Sequence, residues 1–347
     1  MPARRRTDAT RSSATVPGVR LPRLSMLEVA PVEHGHSARE ALAAAVSAAR
    51  FADELGLHRV WFAEHHGAPS ISSVAPPVLV AHAAAITGQI RVGSGGVLLP
   101  NHAPRAVAEQ FATLDALHPN RIDLGIGRGP GTFDASIVAA LQRGTRPTTD
   151  DSYRAGVIEL LGYLSGEHAA PVLPGGSVAV APWLLSSSTA GASLAGELGL
   201  PLAFAHHIRP QNTAEALHRY RERFRPSRWR ERPYVLLAVE TVCADSDAEA
   251  AHLARPLDLV KAGLFAGQAD QPLLSPEAAA AVSLPDHVEQ QLAGYRAQQA
   301  QGSSATVIRQ LAALAVDTGA DEIMLASTVY DSAARRRSLE LLAKAAG

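Results

Sequence analysis

The stretches RVWFA (59–63), RVGSGGV (91–97) and RIDLGI (121–126) are three short runs rich in strand formers, separated by two stretches of helical periodicity at 74–87 and 104–117. A strand followed by a helix that returns along the sheet pairs in parallel with the next strand, through a right-handed crossover. The alternation continues in both directions. Upstream, LSMLEVA (24–30) precedes a helix at 38–55, whose start carries Ser37 and Glu40 at capping-box spacing and whose end is Gly56. Pro104 suits the first turn of the helix it opens. Downstream, a helix at 153–164 leads to PWLL (182–185) and one at 192–198 leads to PLAFA (201–205). YVLLAVETV (234–242) and EIMLA (322–326) complete eight strands, and helical segments at 306–315 and 333–345 bracket the last. Eight strand–helix units closing on themselves predict an α/β fold, the (β/α)8 TIM barrel, with a doubly wound open sheet as the alternative.

At about 150 residues per domain, 347 residues suggest two domains, but the eight units absorb 21–347 into one. The stretch 263–285 is rich in Ala, Gly, Pro and Gln without a clear period and exceeds an ordinary barrel connection. It is expected to be a mobile, lid-like insertion after the seventh strand. Residues 1–20 are basic and Ser/Thr-rich with no apolar core, and are expected to form a disordered tail and not a secretory signal. With 32 Lys+Arg against 33 Asp+Glu the net charge is −1, which argues against a nucleic-acid partner, since phosphate binding needs a basic face. No apolar run reaches the ~20 residues of a membrane helix. Cys243 is the only cysteine, excluding an intrachain disulfide or a cysteine-ligated cluster and suggesting a reducing cytoplasm. Thirty of the 32 basic residues are arginine; the two lysines are Lys261 and Lys344.

In such a barrel, function sits where the strands' carboxyl ends converge. There the second strand ends in Glu64-His65-His66, the third in Ser94-Gly95-Gly96, the fourth in Gly127-Arg128-Gly129, the fifth in Ser186 to Thr189 and the sixth in His206-His207. Arg128, on a glycine-rich loop, offers a planar fork to a phosphate; a tight turn with Arg128 paired to a local carboxylate is the other reading. The Ser/Thr cluster before the helix at 192–198 supplies hydroxyls and free N–H groups for an anion, so the two loops together suggest a phosphate clamp. Gly93-Ser94-Gly95-Gly96 marks either a bulge or a flat ligand against the backbone. Of His65 and His66 only one faces the mouth, because neighbours on a strand alternate. A lone inward histidine suits proton transfer better than metal binding. His66, His102 and His207 are candidate lining residues of a substrate pocket, and no metal site is expected.

WFAEHH (61–66), VGSGGVLLPNHAP (92–104), AEQFATLDALHPNRIDLGIGRGPG (108–131), PWLLSSS (182–188) and TGADEIML (318–325) resemble the bacterial luciferase-like flavin-dependent oxidoreductases, most closely the single-chain FMN-dependent monooxygenases. The resemblance runs from about residue 24 to the C-terminus. It implies a (β/α)8 barrel, commonly a homodimer, with reduced FMN as co-substrate from a separate flavin reductase, and O2 activated through a C4a-hydroperoxide to oxygenate a small organic substrate, in keeping with secondary metabolism. On this resemblance His65 matches the catalytic histidine, and Gly95-Gly96 the position of a non-prolyl cis peptide under the flavin. Ser94 lies in the same cofactor-binding run, and Gly127 is beside the isoalloxazine. Arg128, Ser187 and Ser188 match the phosphate-binding residues, with Thr189 as a further hydroxyl. Two departures stand out: Gly191 occupies the place of a phosphate-contacting hydroxyl, and Ser186 the place of a glycine. The rival readings are an F420-dependent hydride-transfer enzyme on the same barrel, a metal-dependent hydrolase barrel, and a flavin-binding protein without catalysis.

Overall fold

The computed structural model describes residues 21–143, 147–172, 174, 179–268 and 270–346; the N-terminal tail expected at 1–20 lies outside them. The eight strands expected from the sequence all form. They are β1 (Arg23–Glu28), β2 (Arg59–Phe62), β3 (Arg91–Leu98), β4 (Ile122–Gly127), β5 (Ala181–Ser186), β6 (Leu202–Ala205) and β7 (Val235–Ala244), then β9 (Glu322–Ala326) after a short added strand, β8 (Ala300–Ser303). The order β6-β5-β4-β3-β2-β1-β9-β7 closes through β6–β7, and every pairing is parallel. This is a TIM barrel. Strand β8 is the addition: it extends the sheet at the far half of β7, pairing Thr241–Ala244 with Ala300–Ser303.

The local signals behave as their chemistry requires. Ser37 accepts from the backbone N–H of Glu40 while the Glu40 carboxylate accepts from Ser37 N–H, and Gly56, at φ +74°, ends that helix. Apolar side chains fill two layers. An outer layer lies between strands and helices, and an inner cluster of Leu27, Trp61, Trp183, Leu236 and Met324 plugs the barrel. Trp61 and Trp183 meet edge-on at 5.2 Å. The glycines of β3 make room for this plug: a Cβ on Gly93 would lie 2.8 Å from Trp61 Nε1, and one on Gly95 2.9 Å from Trp61 Cβ.

Below the plug, at the strand starts, lies a buried charge network. Arg59 donates to both carboxylate oxygens of Glu322, at 2.6 and 3.0 Å, and to Asp123 Oδ2 at 2.5 Å. Arg91 donates to Asp123 Oδ1 at 2.6 and 3.0 Å, and the Trp61 indole N–H donates to Asp123 Oδ2 at 3.1 Å. Burial opposes ionisation of Asp123, but Arg59 and Arg91 outweigh it and hold its carboxyl below the usual range.

After β7 the chain makes its longest excursion. Helix Asp247–Phe265 is followed by a stretch that reaches the loops behind β1 and β2. There Leu273 N–H donates to Val32 O and His34 N–H to Leu273 O, while Asp270 accepts from Ser70 N–H at 2.8 Å. Helix Pro276–Ala280 then packs back on Asp247–Phe265, and helix Asp286–Arg296 is tied to it by Arg255–Glu289 and Arg296–Asp258 ion pairs. The expected insertion at 263–285 therefore starts inside a helix and contains another. Its described residues hydrogen-bond across the carboxyl end of the barrel.

Candidate active site

Strand β2 runs out into Glu64, His65 and His66, and the alternation of side chains separates them. Glu64 and His66 share one side: Glu64 Oε1 accepts from His66 Nε2 at 2.9 Å. The same oxygen accepts from His102 Nε2 at 2.9 Å and from Asn101 Nδ2 at 3.4 Å, while Oε2 accepts from the Leu98 N–H at 3.0 Å. The Glu64 side chain has no exposure at all. Burial disfavours its charge, yet the hydrogen bonds from His102 and His66 prevail and keep its carboxyl below the ordinary range. The sequence placed Glu64 at this strand end without giving it a role. Its signal is the two-residue spacing to His66 at a strand end.

His65 faces the other way. Its backbone N–H donates to Ser73 O at 3.0 Å, but its side-chain Nδ1 is buried without a hydrogen-bond partner among the described residues. Burial, reinforced by the neighbouring His66, lowers its pKa and favours the neutral ring.

At the end of β4, Gly127 is buried and Arg128 is half-exposed, its guanidinium paired with Asp150 at 2.5 Å. This is the local carboxylate pairing that the sequence left open as the alternative to phosphate binding. A pair so exposed contributes at most about 1 kcal/mol. One turn into the helix Asp150–Ser165 stands Tyr153, buried, its hydroxyl unpartnered among the described residues and within the field of Arg128. The hydroxyl's pKa is pushed up by burial, with Arg128 acting against that.

The helix that follows β5 starts earlier than expected, at Thr189, because Ser188 caps it by accepting from Gly191 N–H at 3.2 Å. Thr189 is thus its first helical residue. The two departures noted in this loop are one packing event: Ser186 Oγ lies 2.3 Å from where a Cβ on Gly191 would stand. Ser186 occupies the space a side chain at 191 would need, and its hydroxyl accepts from Ser188 N–H at 3.0 Å. Ser187 is held through its carbonyl, which accepts from Asn212 Nδ2 at 3.0 Å. Arg154 and Glu197, 2.6 Å apart, join this helix to the one carrying Tyr153.

The Gly95–Gly96 peptide is cis, as the resemblance implies. Ser94 is not turned to the mouth: its hydroxyl donates to Gly125 O at 2.9 Å and accepts from Gly125 N–H at 3.0 Å, stapling β3 to β4 at a register shift. Of the sixth-strand pair, His206 is tied down between Thr213 and Gln298 O. His207 accompanies a polar cluster of Glu240, Lys261 and Tyr295: Lys261 donates to Glu240, and the Tyr295 hydroxyl donates to Glu240 at 3.1 Å and to the His207 carbonyl. Burial pulls the His207 pKa down to about 4. His65 continues the inward series of Trp61 and Ala63, His66 and His102 meet at Glu64 on the other face of β2, His207 follows β6, and Ser94 belongs to the barrel wall. Among the described residues no three His, Cys, Asp or Glu side chains are grouped to hold a metal ion. Nor is any helix among them long and apolar enough to cross a membrane.

The family model for luciferase-like monooxygenases matches residues 24–322. A protein of Escherichia coli (strain K12) named luciferase-like monooxygenase is 40% identical over 326 residues, covering 91% of this chain and 95% of that one. The crystal structure of apo-MsnO8 is 37% identical and covers 93% of this chain and 98% of its own, with a TM-score of 0.86. The oxygenating constituent of 3,6-diketocamphane monooxygenase from the CAM plasmid of Pseudomonas putida, a type II Baeyer–Villiger monooxygenase solved with FMN, shares the fold at a TM-score of 0.63. It is 20% identical, covering 93% of this chain and 97% of that one. The chain belongs to the luciferase-like monooxygenase family, and this membership supports an oxidoreductase.

Proposed function

We propose that this chain is a monooxygenase that uses reduced FMN and O2 to oxygenate a small organic substrate. A separate reductase supplies the flavin, and the chain works as a homodimer in the cytoplasm. The observation that carries the reading is the anion corner at the ends of β4 and β5. Arg128 acts on a buried Tyr153 hydroxyl that has no partner among the described residues, and the Ser188-capped helix follows β5, the strand paired with β4. A buried hydroxyl left unpaired is costly, and a phosphate oxygen would satisfy it. The residues therefore fit FMN: Arg128, Tyr153, Ser187, Ser188 and the N–H groups at Thr189 would hold its phosphate, and the Gly95–Gly96 region and Gly127 would border its ring.

Reduced flavin supplies the electrons that activate O2. The chain's residues do the rest. His65, whose ring burial keeps neutral, accepts or returns the substrate's proton. The Asp270–Leu273 stretch, bonded to the loops behind β1 and β2, keeps water out as a lid. The test is incubation with chemically reduced FMN, 18O2 and a panel of aldehydes, phenols and cyclic ketones. One 18O atom is expected in the product of a panel member. Hydride transfer from reduced F420 with no 18O gain would overturn the reading.

A further inference from the structure

On β7, Val239 belongs to the outer layer while Leu236 and Ala238 belong to the inner plug, so Glu240 is the next inward residue of that strand. Its register partner on β9, Ala326, packs against the same inner cluster. Glu240 therefore stands on the inner wall of the barrel, above the plug. Two helices of the excursion reach it there, Asp247–Phe265 with Lys261 and Asp286–Arg296 with Tyr295. Both side chains donate to one carboxylate oxygen, Oε2, the Tyr295 hydroxyl at 3.1 Å, and the Lys261 ammonium sits 3.8 Å from the centre of the Tyr295 ring. The other oxygen, Oε1, has no partner among the described residues, and the side chain keeps 15% exposure. The cluster is continuous with the catalytic side of the mouth: His207, whose carbonyl accepts from Tyr295, feels the charges of both Lys261 and His65. A carboxylate paired with an ammonium can only accept hydrogen bonds. Because Lys261 already balances its charge, the free oxygen suits a neutral donor, whereas a cationic one would meet the charge of Lys261.

We propose that Glu240 is a specificity-determining residue whose free Oε1 anchors the substrate through a hydroxyl or a neutral N–H. The substrate class is thus a phenol, alcohol or amide, held by its donor at β7, with β1 and β9 between that anchor and the strand that leads to His65. That this ligand is the substrate of an oxygenation rests on the reading above; the recognition of a donor by Glu240 does not.

The test needs neither flavin nor turnover, so its failure is distinct from a failure of the flavin chemistry. Lys261 and Lys344 are the only lysines, so the whole chain carrying lysine labelled with 15N at Nζ gives two side-chain NMR signals, and loss of one in the exposed Lys344→Arg variant assigns both. Titration with phenol should shift the Lys261 signal saturably, because the phenol proton shares its counter-ion, and should leave Lys344 in place. Anisole, the O-methyl ether, should move neither. A Lys261 signal that ignores phenol, or answers anisole equally, overturns the proposal. The double variant Glu240→Leu, Lys261→Met removes the acceptor without stranding a buried ammonium. By calorimetry the parent should bind phenol about tenfold more tightly than anisole, as a hydrogen bond to a charged group implies, and the double variant should bind the two within about twofold of each other. Selectivity retained in the folded double variant overturns the role of Glu240. If that variant fails to fold, the lysine spectrum of the unaltered chain decides.

Discussion

Tyr153→Phe separates a structural tyrosine from a ligand-binding one, because the two roles predict opposite signs. The ring is buried and its hydroxyl has no partner among the described residues. An unpaired buried hydroxyl costs about 1–3 kcal/mol, so deleting it should leave the flavin-free protein as stable or about 1 kcal/mol more stable. For a chain of this size that is a rise of about 1–2 °C in Tm. With FMN bound the account reverses: a hydrogen bond to a charged group contributes about 1.5–3 kcal/mol, so the variant's Kd for FMN should rise by about 10- to 150-fold. Two assays suffice: thermal denaturation without flavin, and fluorescence titration with FMN and, in parallel, with riboflavin, which lacks the phosphate. The expected pattern is an apo protein no weaker than the parent, weakened FMN binding and unchanged riboflavin binding. A loss of apo stability, or an equal loss of FMN and riboflavin affinity, refutes the assignment of that hydroxyl to the phosphate.

Arg128→Ala should raise the FMN Kd at least tenfold in the same titration, since its exposed partner Asp150 gives it little structural role. His65→Ala should slow product formation with chemically reduced FMN while flavin binding stays within about twofold; undiminished turnover rules out its proton-transfer role. Arg59→Met leaves Asp123 and Glu322 short of a buried cation and should destabilise the fold by about 3–5 kcal/mol in urea or guanidinium unfolding; a change below 1 kcal/mol would mean the network is dispensable. His65, His206 and His207 are all held below the ordinary imidazole value of 6.5, His207 at about 4, first by burial. As pH falls the unfolded chain takes up protons before the folded one, so their contribution is complete above about 6.5 and is lost towards 4. Tm followed across that window should decline, and less steeply in His207→Gln.

The barrel was legible because its strands are dense in Val, Ile, Leu and aromatics and its helices carry clear ends, such as the Ser37–Glu40 cap and Gly56. Strand β8, AQGS, was not: it contains no strand former, and it pairs only because β7 overshoots the barrel. Helix Asp247–Phe265 was obscured by Pro256 inside it, which reads locally as a break. Of the site, His65 and the loops at Arg128 and Ser187–Thr189 followed from the rule that strand ends carry function. Three things needed coordinates. The Asp150 partner of Arg128 comes from another element, and the lack of any partner for Tyr153 is a property of the folded surroundings. The exchange of side-chain space between Ser186 and Gly191 appears in sequence as two unrelated departures, and only their separation in space makes it one.

The two lysines differ in a way that bears on handling the protein. Lys261 is engaged with Glu240 and only 14% exposed, whereas Lys344 is open to solvent. It stands near the end of helix Ser332–Ala346, which starts beside the β9 terminus at the mouth and so runs toward the barrel's base. Apart from the chain's α-amino group, an amine-reactive tether or dye thus meets one side chain, at the end away from the active site. Attached to a surface through Lys344, the enzyme would face its substrate with the mouth outward and its arginine-based chemistry untouched.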